Sequence, residues 1–181
     1  MSGYARSSQI THEFLRVLRY QKNPAWLGSA SMKLMLVCTS GGHFSTMRDM
    51  ESFWSQHERV WVTDFKKDTS LLNDLNERVC WLPYQGPRDW KRFLMNLPRS
   101  LRVLLLERPD MVLSTGASIA VNFAILSKLL GIRFLYIESI SRSDELSLSG
   151  KFIYPLADEF YVQWQELTEK YPRAIFRGTV A

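Results

Sequence analysis

The stretch DMVLSTGASIAVNFAILSKLLGIRFLYI, residues 110–137, decides the fold. It opens with a short apolar run, Asp110–Ser114, passes a turn of Ser, Thr and Gly, and continues almost wholly apolar over Ala117–Leu130. Gly131 supplies a helix stop, and Ile132–Ile137 is a second short apolar run. Met111–Ser127 is charge-free for seventeen residues. A membrane-spanning helix wants about 20 mostly apolar residues, and this run contains Ser114, Thr115, Gly116, Ser118 and Asn122. It therefore reads as a buried strand, a loop and a buried helix, with the next strand after Gly131.

The same alternation extends to both sides. Lys33–Cys38 (KLMLVC) is a buried strand ending in Thr39-Ser40-Gly41-Gly42-His43. Phe44, Met47, Met50 and Phe53/Trp54 then fall at helical spacing. Val60–Val62 is a second strand, Thr69–Leu75 a short helix, and Arg78–Leu82 a third strand stopped by Pro83. Asp89–Glu107 is a long amphipathic pattern, and Pro98 within it predicts a kink or two helices. Beyond residue 137 come a Ser-rich segment to Gly150, a helical turn over Lys151–Leu156, a strand over Phe160–Val162, a helix over Trp164–Tyr171 and a short strand over Ala174–Phe176. Strands apolar on both faces, alternating with helices, belong to a parallel sheet covered on both sides. The fold class is α/β: a single Rossmann-like, doubly wound domain over residues 32–181, preceded by an arm over residues 1–31.

A length of 181 residues suits one domain plus an arm. Two cysteines, Cys38 and Cys80, are too few for a disulfide scaffold or a four-cysteine zinc site, and their apolar surroundings suit reduced thiols. His12, His43 and His57 are not at ligand spacing, so no metal site is expected. The net charge is +5. The arm carries Arg6, Arg16, Arg19 and Lys22 against Glu13, and the other 150 residues hold 19 basic and 17 acidic groups. This mild excess suits anionic lipid or phosphate and falls short of a nucleic-acid binder. The arm lacks the continuous apolar core of a signal peptide.

In doubly wound sheets, ligands bind beyond the carboxyl ends of the strands where the strand order reverses. The order 3-2-1-4-5-6 places strands 1, 4 and 5 together. The loops leaving them are Ser40-Gly41-Gly42-His43, Ser114-Thr115-Gly116-Ala117-Ser118 and Glu138-Ser139-Ile140-Ser141-Arg142. Two of these open helices, whose unpaired N–H groups suit phosphate, and glycine lets backbone approach an anion closely. Ser40, Ser118 and Ser139 add hydroxyls, and Arg142 adds a fixed charge. His43 stands where it can act as a general base on a hydroxyl or simply cap the helix. Glu138 ends a buried strand, so it must find a partner or face a cleft. The two readings are a salt bridge to Arg142 and a catalytic carboxylate. Asp64 lies about where a ribose-binding acid would sit in a dinucleotide site, but the turn reads S-G-G-H-F-S, not G-x-G-x-x-G, and no Gly-Lys-Ser/Thr follows the first strand.

The segments LVCTSGGHFSTM, VWVTDFKKDTSLL, RPDMVLSTGASIAV, LLGIRFLYIESISR, LSLSGKFIYPLADEFYVQW and YPRAIFRG, in this order, carry a resemblance over about residues 33–178. The chain resembles the membrane-anchoring subunit of the UDP-GlcNAc transferase that adds the second GlcNAc in lipid-linked oligosaccharide synthesis, together with its bacterial exopolysaccharide and capsule counterparts. The resemblance implies the N-terminal, acceptor-side half of a GT-B glycosyltransferase. The donor-domain subunit would be a separate chain that binds most of the UDP-sugar, either GlcNAc or a related sugar. The acceptor would be a lipid-diphosphate saccharide, and no further cofactor is implied. The single-chain lipid-II-forming transferase has a similar glycine-rich loop ending in His. That likeness puts Ser40, Gly41, Gly42 and His43 at the acceptor phosphates and the attacking hydroxyl. The expected location is peripheral, on the cytoplasmic face of the membrane. Eukaryotic anchoring subunits have an N-terminal membrane helix. Here Ile10–Lys22 has an apolar side and a basic side, which suits an interfacial helix, a disordered extension or a true start at Met32. Two other functions remain open: a non-catalytic scaffold for a complete partner enzyme, and a stand-alone cytosolic nucleotide-binding enzyme.

Overall fold

A computed structural model describes residues 32–180, so the arm over residues 1–31 lies outside the described residues. Seven strands form one sheet: β1 (Lys33–Val37), β2 (Glu58–Thr63), β3 (Val79–Trp81), β4 (Met111–Ser114), β5 (Arg133–Ile137), β6 (Glu159–Val162) and β7 (Ala174–Phe176). The order is β3-β2-β1-β4-β5-β6-β7, and every neighbouring pair is parallel. Between them lie α1 (Gly42–Asp49), α2 (Glu51–Trp54), α3 (Leu71–Asp74), α4 (Trp90–Glu107), α5 (Ile119–Leu130), α6 (Leu148–Ile153) and α7 (Leu167–Lys170). The expected order is therefore present, with β7 added at the edge.

Strand side chains alternate between the two faces, and both faces are apolar because each is covered. Leu34, Leu36, Leu113 and Ile137 pack with Phe44, Met47 and Leu72 from α1 and α3. Trp61 is fully buried there, edge-on to Phe44 and Trp54 at 5.7 and 5.3 Å between ring centres. Met35, Val37, Val112, Phe134 and Tyr136 face the other way, against Leu104 of α4, Phe123 of α5 and Ile153 of α6.

Several helices differ from the sequence expectation: the turn expected over Lys151–Leu156 starts earlier, at Leu148, and ends at Ile153, and the helix expected over Thr69–Leu75 is Leu71–Asp74. The helical pattern over 44–54 is two helices, broken at Met50. α4 runs unbroken through Pro98, where two helices were an open expectation. The carbonyl that Pro98 leaves unpaired belongs to Leu94, which is 64% exposed, so it can turn to solvent. The last helix is only the short Leu167–Lys170.

The C-terminal segment is built into the fold. β7 pairs with β6, Val180 is fully buried, and its N–H donates to Gln163 Oε1 at 2.8 Å. Deleting residues 174–181 would thus remove a strand as well as any partner contact. Removing only residues 178–181 is expected to cost roughly 1.5–3 kcal/mol, the burial of one Val side chain. Urea unfolding measures this, and an unchanged midpoint would count against the packing of Val180.

Candidate functional site

Because β1, β4 and β5 are neighbours, the three loops leaving their carboxyl ends converge. The first loop is held from β2. Asp64 is 5% exposed and accepts the Ser40 N–H at 2.9 Å and the Ser40 hydroxyl at 3.1 Å. Asp68 accepts the Gly41 N–H at 2.6 Å, with Gly41 in the left-handed region at φ +85°. The Ser40 and Gly41 donors that the sequence offered to phosphate are therefore engaged by carboxylates. The same contacts give Asp64 a bracing role in place of the ribose contact of a dinucleotide site.

The first and fourth-strand loops clamp each other. His43 Nδ1 lies 2.8 Å from the Thr115 carbonyl oxygen, and Thr115 Oγ1 donates to the His43 carbonyl at 2.6 Å. A carbonyl only accepts, so Nδ1 carries the proton, and the neutral ring keeps its lone pair on Nε2. Gly116 makes this approach possible. It sits at φ +125°, and a Cβ there would lie 2.6 Å from both Cε1 and Nδ1 of His43. Ser114 accepts the Gly116 N–H on its hydroxyl at 3.2 Å, and Ala117 holds a left-handed φ of +74°. A non-glycine residue in that region is strain that surrounding contacts must hold.

Glu138 follows β5 directly and is 1% exposed. Its carboxylate accepts the Ser139 N–H at 2.9 Å, the Ser147 N–H at 3.0 Å and the Ser147 hydroxyl at 3.0 Å. Its hydrogen bonds thus go to Ser139 and Ser147 and not to Arg142, which corrects the expected salt bridge. Burial raises its pKa above the ordinary carboxylate value, opposed by these three donors and by the Arg142 charge. Its backbone carbonyl accepts from Gln163 Nε2 at 2.9 Å. Gln163 also accepts the Val180 N–H, so the C-terminal segment is tied to this loop. Ser147 in turn caps α6 by accepting the Gly150 N–H at 2.9 Å.

The loops enclose a crevice of about 360 Å³. Of the predicted residues, Ser40, His43, Ser118, Ser139 and Arg142 line it. Ser114, Thr115 and Gly116 are buried, and Gly41, in the turn, and Gly42, at the start of α1, are exposed beside the lining residues Ser40 and His43. Glu138 is not among the residues that line the crevice; its carboxylate is bonded to Ser139 and Ser147, which are.

Sequence reasoning missed Lys66, Tyr84, Gln85, Ser147 and Ser149, which also line the crevice. Lys66 Nζ lies 4.6 Å from the centre of the Tyr84 ring and 3.9 Å from Asp64 Oδ2. These two come from loops after β2 and β3, where Lys66-Lys67 was the only compositional signal. Gln85 is 3% exposed and belongs to a buried network. Its Nε2 donates to the Ser118 carbonyl at 2.9 Å and to Asn122 Oδ1 at 3.2 Å, and Asn96 Nδ2 donates to Gln85 Oε1 at 3.3 Å. The described residues hold no group of three or more metal-ligating side chains.

A parallel sheet in this order is a Rossmann-like fold of the kind found in GT-B glycosyltransferases. MurG of Acinetobacter baumannii superposes with a TM-score of 0.69 at 17% identity, over 83% of this chain and 46% of that chain. The UDP-N-acetylglucosamine 2-epimerase of Rickettsia bellii superposes at 0.64 and 16%, over 83% of this chain and 45% of that chain. The chain thus spans about half the length of the solved structures it matches. The family described as "Oligosaccharide biosynthesis protein Alg14 like" matches residues 90–180. The UDP-N-acetylglucosamine transferase subunits ALG14 of mouse and human are each 40% identical, covering 83% of both chains. The subunit of Yarrowia lipolytica is 31% identical over 81% of this chain and 80% of its own. The chain belongs to the Alg14 family.

Proposed function

We propose that this chain is the acceptor-side subunit of a two-chain UDP-GlcNAc transferase acting on a lipid-diphosphate saccharide. The observation that carries the reading is the His43–Thr115 bond, which leaves Nε2 as a base in a crevice lined by Ser118, Ser139, Arg142 and Lys66. In the reaction, the acceptor hydroxyl oxygen bonds to the anomeric carbon of the sugar. Nε2 takes the hydroxyl proton, and the nucleoside diphosphate leaves with the electron pair of the broken glycosyl–phosphate bond. Arg142 and the serine hydroxyls hold the acceptor diphosphate. Sugar transfer needs both substrates in line, since positioning supplies much of the rate. The nucleotide-sugar site belongs to the partner, which docks across the crevice, with the C-terminal end as part of the contact. The names of the ALG14 relatives, each a transferase subunit, support the two-chain reading.

Purified alone, the chain is expected to show no transfer from UDP-GlcNAc to a lipid-diphosphate GlcNAc acceptor, and to become active when the donor-domain chain is added. Full activity without the partner would overturn the reading.

The reading also places the chain peripherally at a cytoplasmic membrane face. No helix among the described residues is long and apolar enough to cross a membrane. α4 exposes Trp90 and Leu94, 63% and 64% accessible, among Lys91, Arg92, Arg99 and Arg102. Basic groups at an anionic surface contribute about 1 kcal/mol each. Sedimentation with anionic liposomes is expected at low salt and lost at high salt. Equal binding to neutral liposomes, or none to either, would exclude the electrostatic attachment.

A further inference from the structure

A second depression, about 170 Å³, opens between the start of α4, α5 and α6. Trp90, Phe93, Val121, Ile125, Leu148 and Phe152 wall it. It shares Gln85, Ser118, Leu148 and Ser149 with the polar crevice, so an apolar depression and a polar crevice lie side by side across these residues. Trp90, Leu148 and Phe152 are 63%, 47% and 49% exposed there, an apolar cluster that a monomer in water has no reason to keep bare. Arg88 stands at its mouth.

From this adjacency we infer that the groove holds the first carbons of the acceptor lipid's hydrocarbon tail, a role that rests on the acceptor reading given above. A ligand that fills both must be an amphiphile with an anionic head and an apolar chain. The shape of the groove is set in advance. Gln85 ties the β3 loop to Ser118 and Asn122, while Asn122 Nδ2 donates to the Phe93 carbonyl at 2.9 Å and Asn96 Nδ2 to the Pro83 carbonyl at 3.0 Å. These bonds fix α4 against α5 on either side of the opening. Volume sets the length of chain that fits. An apolar cavity of about 150 Å³ accepts benzene, six carbons, so this groove of about 170 Å³ takes roughly six or seven carbons of chain. The remaining tail continues past Trp90 and Phe152 toward the surface.

The test measures calorimetric affinity of the full chain for methyl, dimethylallyl, geranyl and farnesyl diphosphates, with farnesol as the headless probe. Geranyl diphosphate is expected to bind at least tenfold tighter than methyl diphosphate, and farnesyl less than threefold tighter than geranyl. Val121→Trp, which fills the groove, and Phe152→Asp, at a half-exposed position, are each expected to abolish that gain. Affinity for methyl diphosphate should stay within twofold in both. Equal wild-type affinity along the series, or a tenfold gain that survives both variants, would overturn the inference. So would variants that lose the partner chain yet keep the gain, which would make the groove a protein contact. Farnesol binding that Val121→Trp removes, with no methyl diphosphate bound, would uphold the tail groove and reject the diphosphate crevice.

Discussion

Replacing His43 with alanine is expected to slow sugar transfer by the reconstituted complex about 10²–10⁴-fold, the usual worth of a positioned general base. Folding and co-purification with the partner chain should be unchanged, because His43 is partly exposed and lies outside both apolar clusters. Gly116→Ala should imitate it while leaving the histidine in the sequence. A Cβ at Gly116 would lie 2.6 Å from the ring and must push it off the Thr115 carbonyl, and φ +125° suits only glycine. The paired variants separate catalysis from capping. If His43 merely caps α1, both should keep turnover within threefold of wild type. Loss in both, with intact assembly, places the base on Nε2.

Glu138→Ala is expected to lose both stability and activity, for a different reason. It leaves the Ser139 and Ser147 N–H groups without their acceptor, at about 1–3 kcal/mol for each buried donor. The segment from Ser139 to Ser149, which walls the crevice, should loosen, and turnover should fall at least a hundredfold through a raised acceptor KM as well as kcat. Gly150→Ala tests the same brace from outside. Its Cβ would stand 2.0 Å from Glu138 Oε2 and 3.0 Å from Ser147 Oγ, so the carboxylate must leave its three bonds. A pH series adds a signature. Burial raises the folded-state pKa of Glu138, so on acidification the folded chain takes up this proton before the unfolded chain does. Wild type should therefore gain stability relative to Glu138→Gln as pH falls through the folded value toward the ordinary value near 4.3, and lose it on return. A Glu138→Ala variant that folds normally but is inactive would instead return this carboxylate to direct chemistry.

Several features were legible in the residues alone. Apolar runs of four to six residues, alternating with helical spacing, required a covered parallel sheet. The position of each loop after β1, β4 and β5 then followed from the chain order of such sheets. The crevice was legible in the same way, since those loops were the Gly- and Ser-rich ones. Local chemistry also set the C-terminal end of α5, where Gly131 takes a left-handed φ of +69°. What makes Pro98 tolerable inside α4 was not local, because it depends on which face of the helix meets solvent.

Tertiary structure alone decided which polar groups remain available to a ligand. His43 and Thr115 are 72 positions apart, so nothing along the chain announces the bond that sets the histidine tautomer. Ser40 and Gly41 looked like free donors until Asp64 and Asp68, 24 and 27 positions on, took their N–H groups. Arg142 is near Glu138 in sequence, yet Glu138 bonds Ser147, nine positions on, because the chain returns there to start α6. No pattern in the sequence joins Gln85, Asn96 and Asn122, which meet in one buried network. The reason is general: periodic burial of apolar surface is written in local spacing, whereas a hydrogen bond needs two particular atoms within about 3 Å, and only the closed fold brings them there.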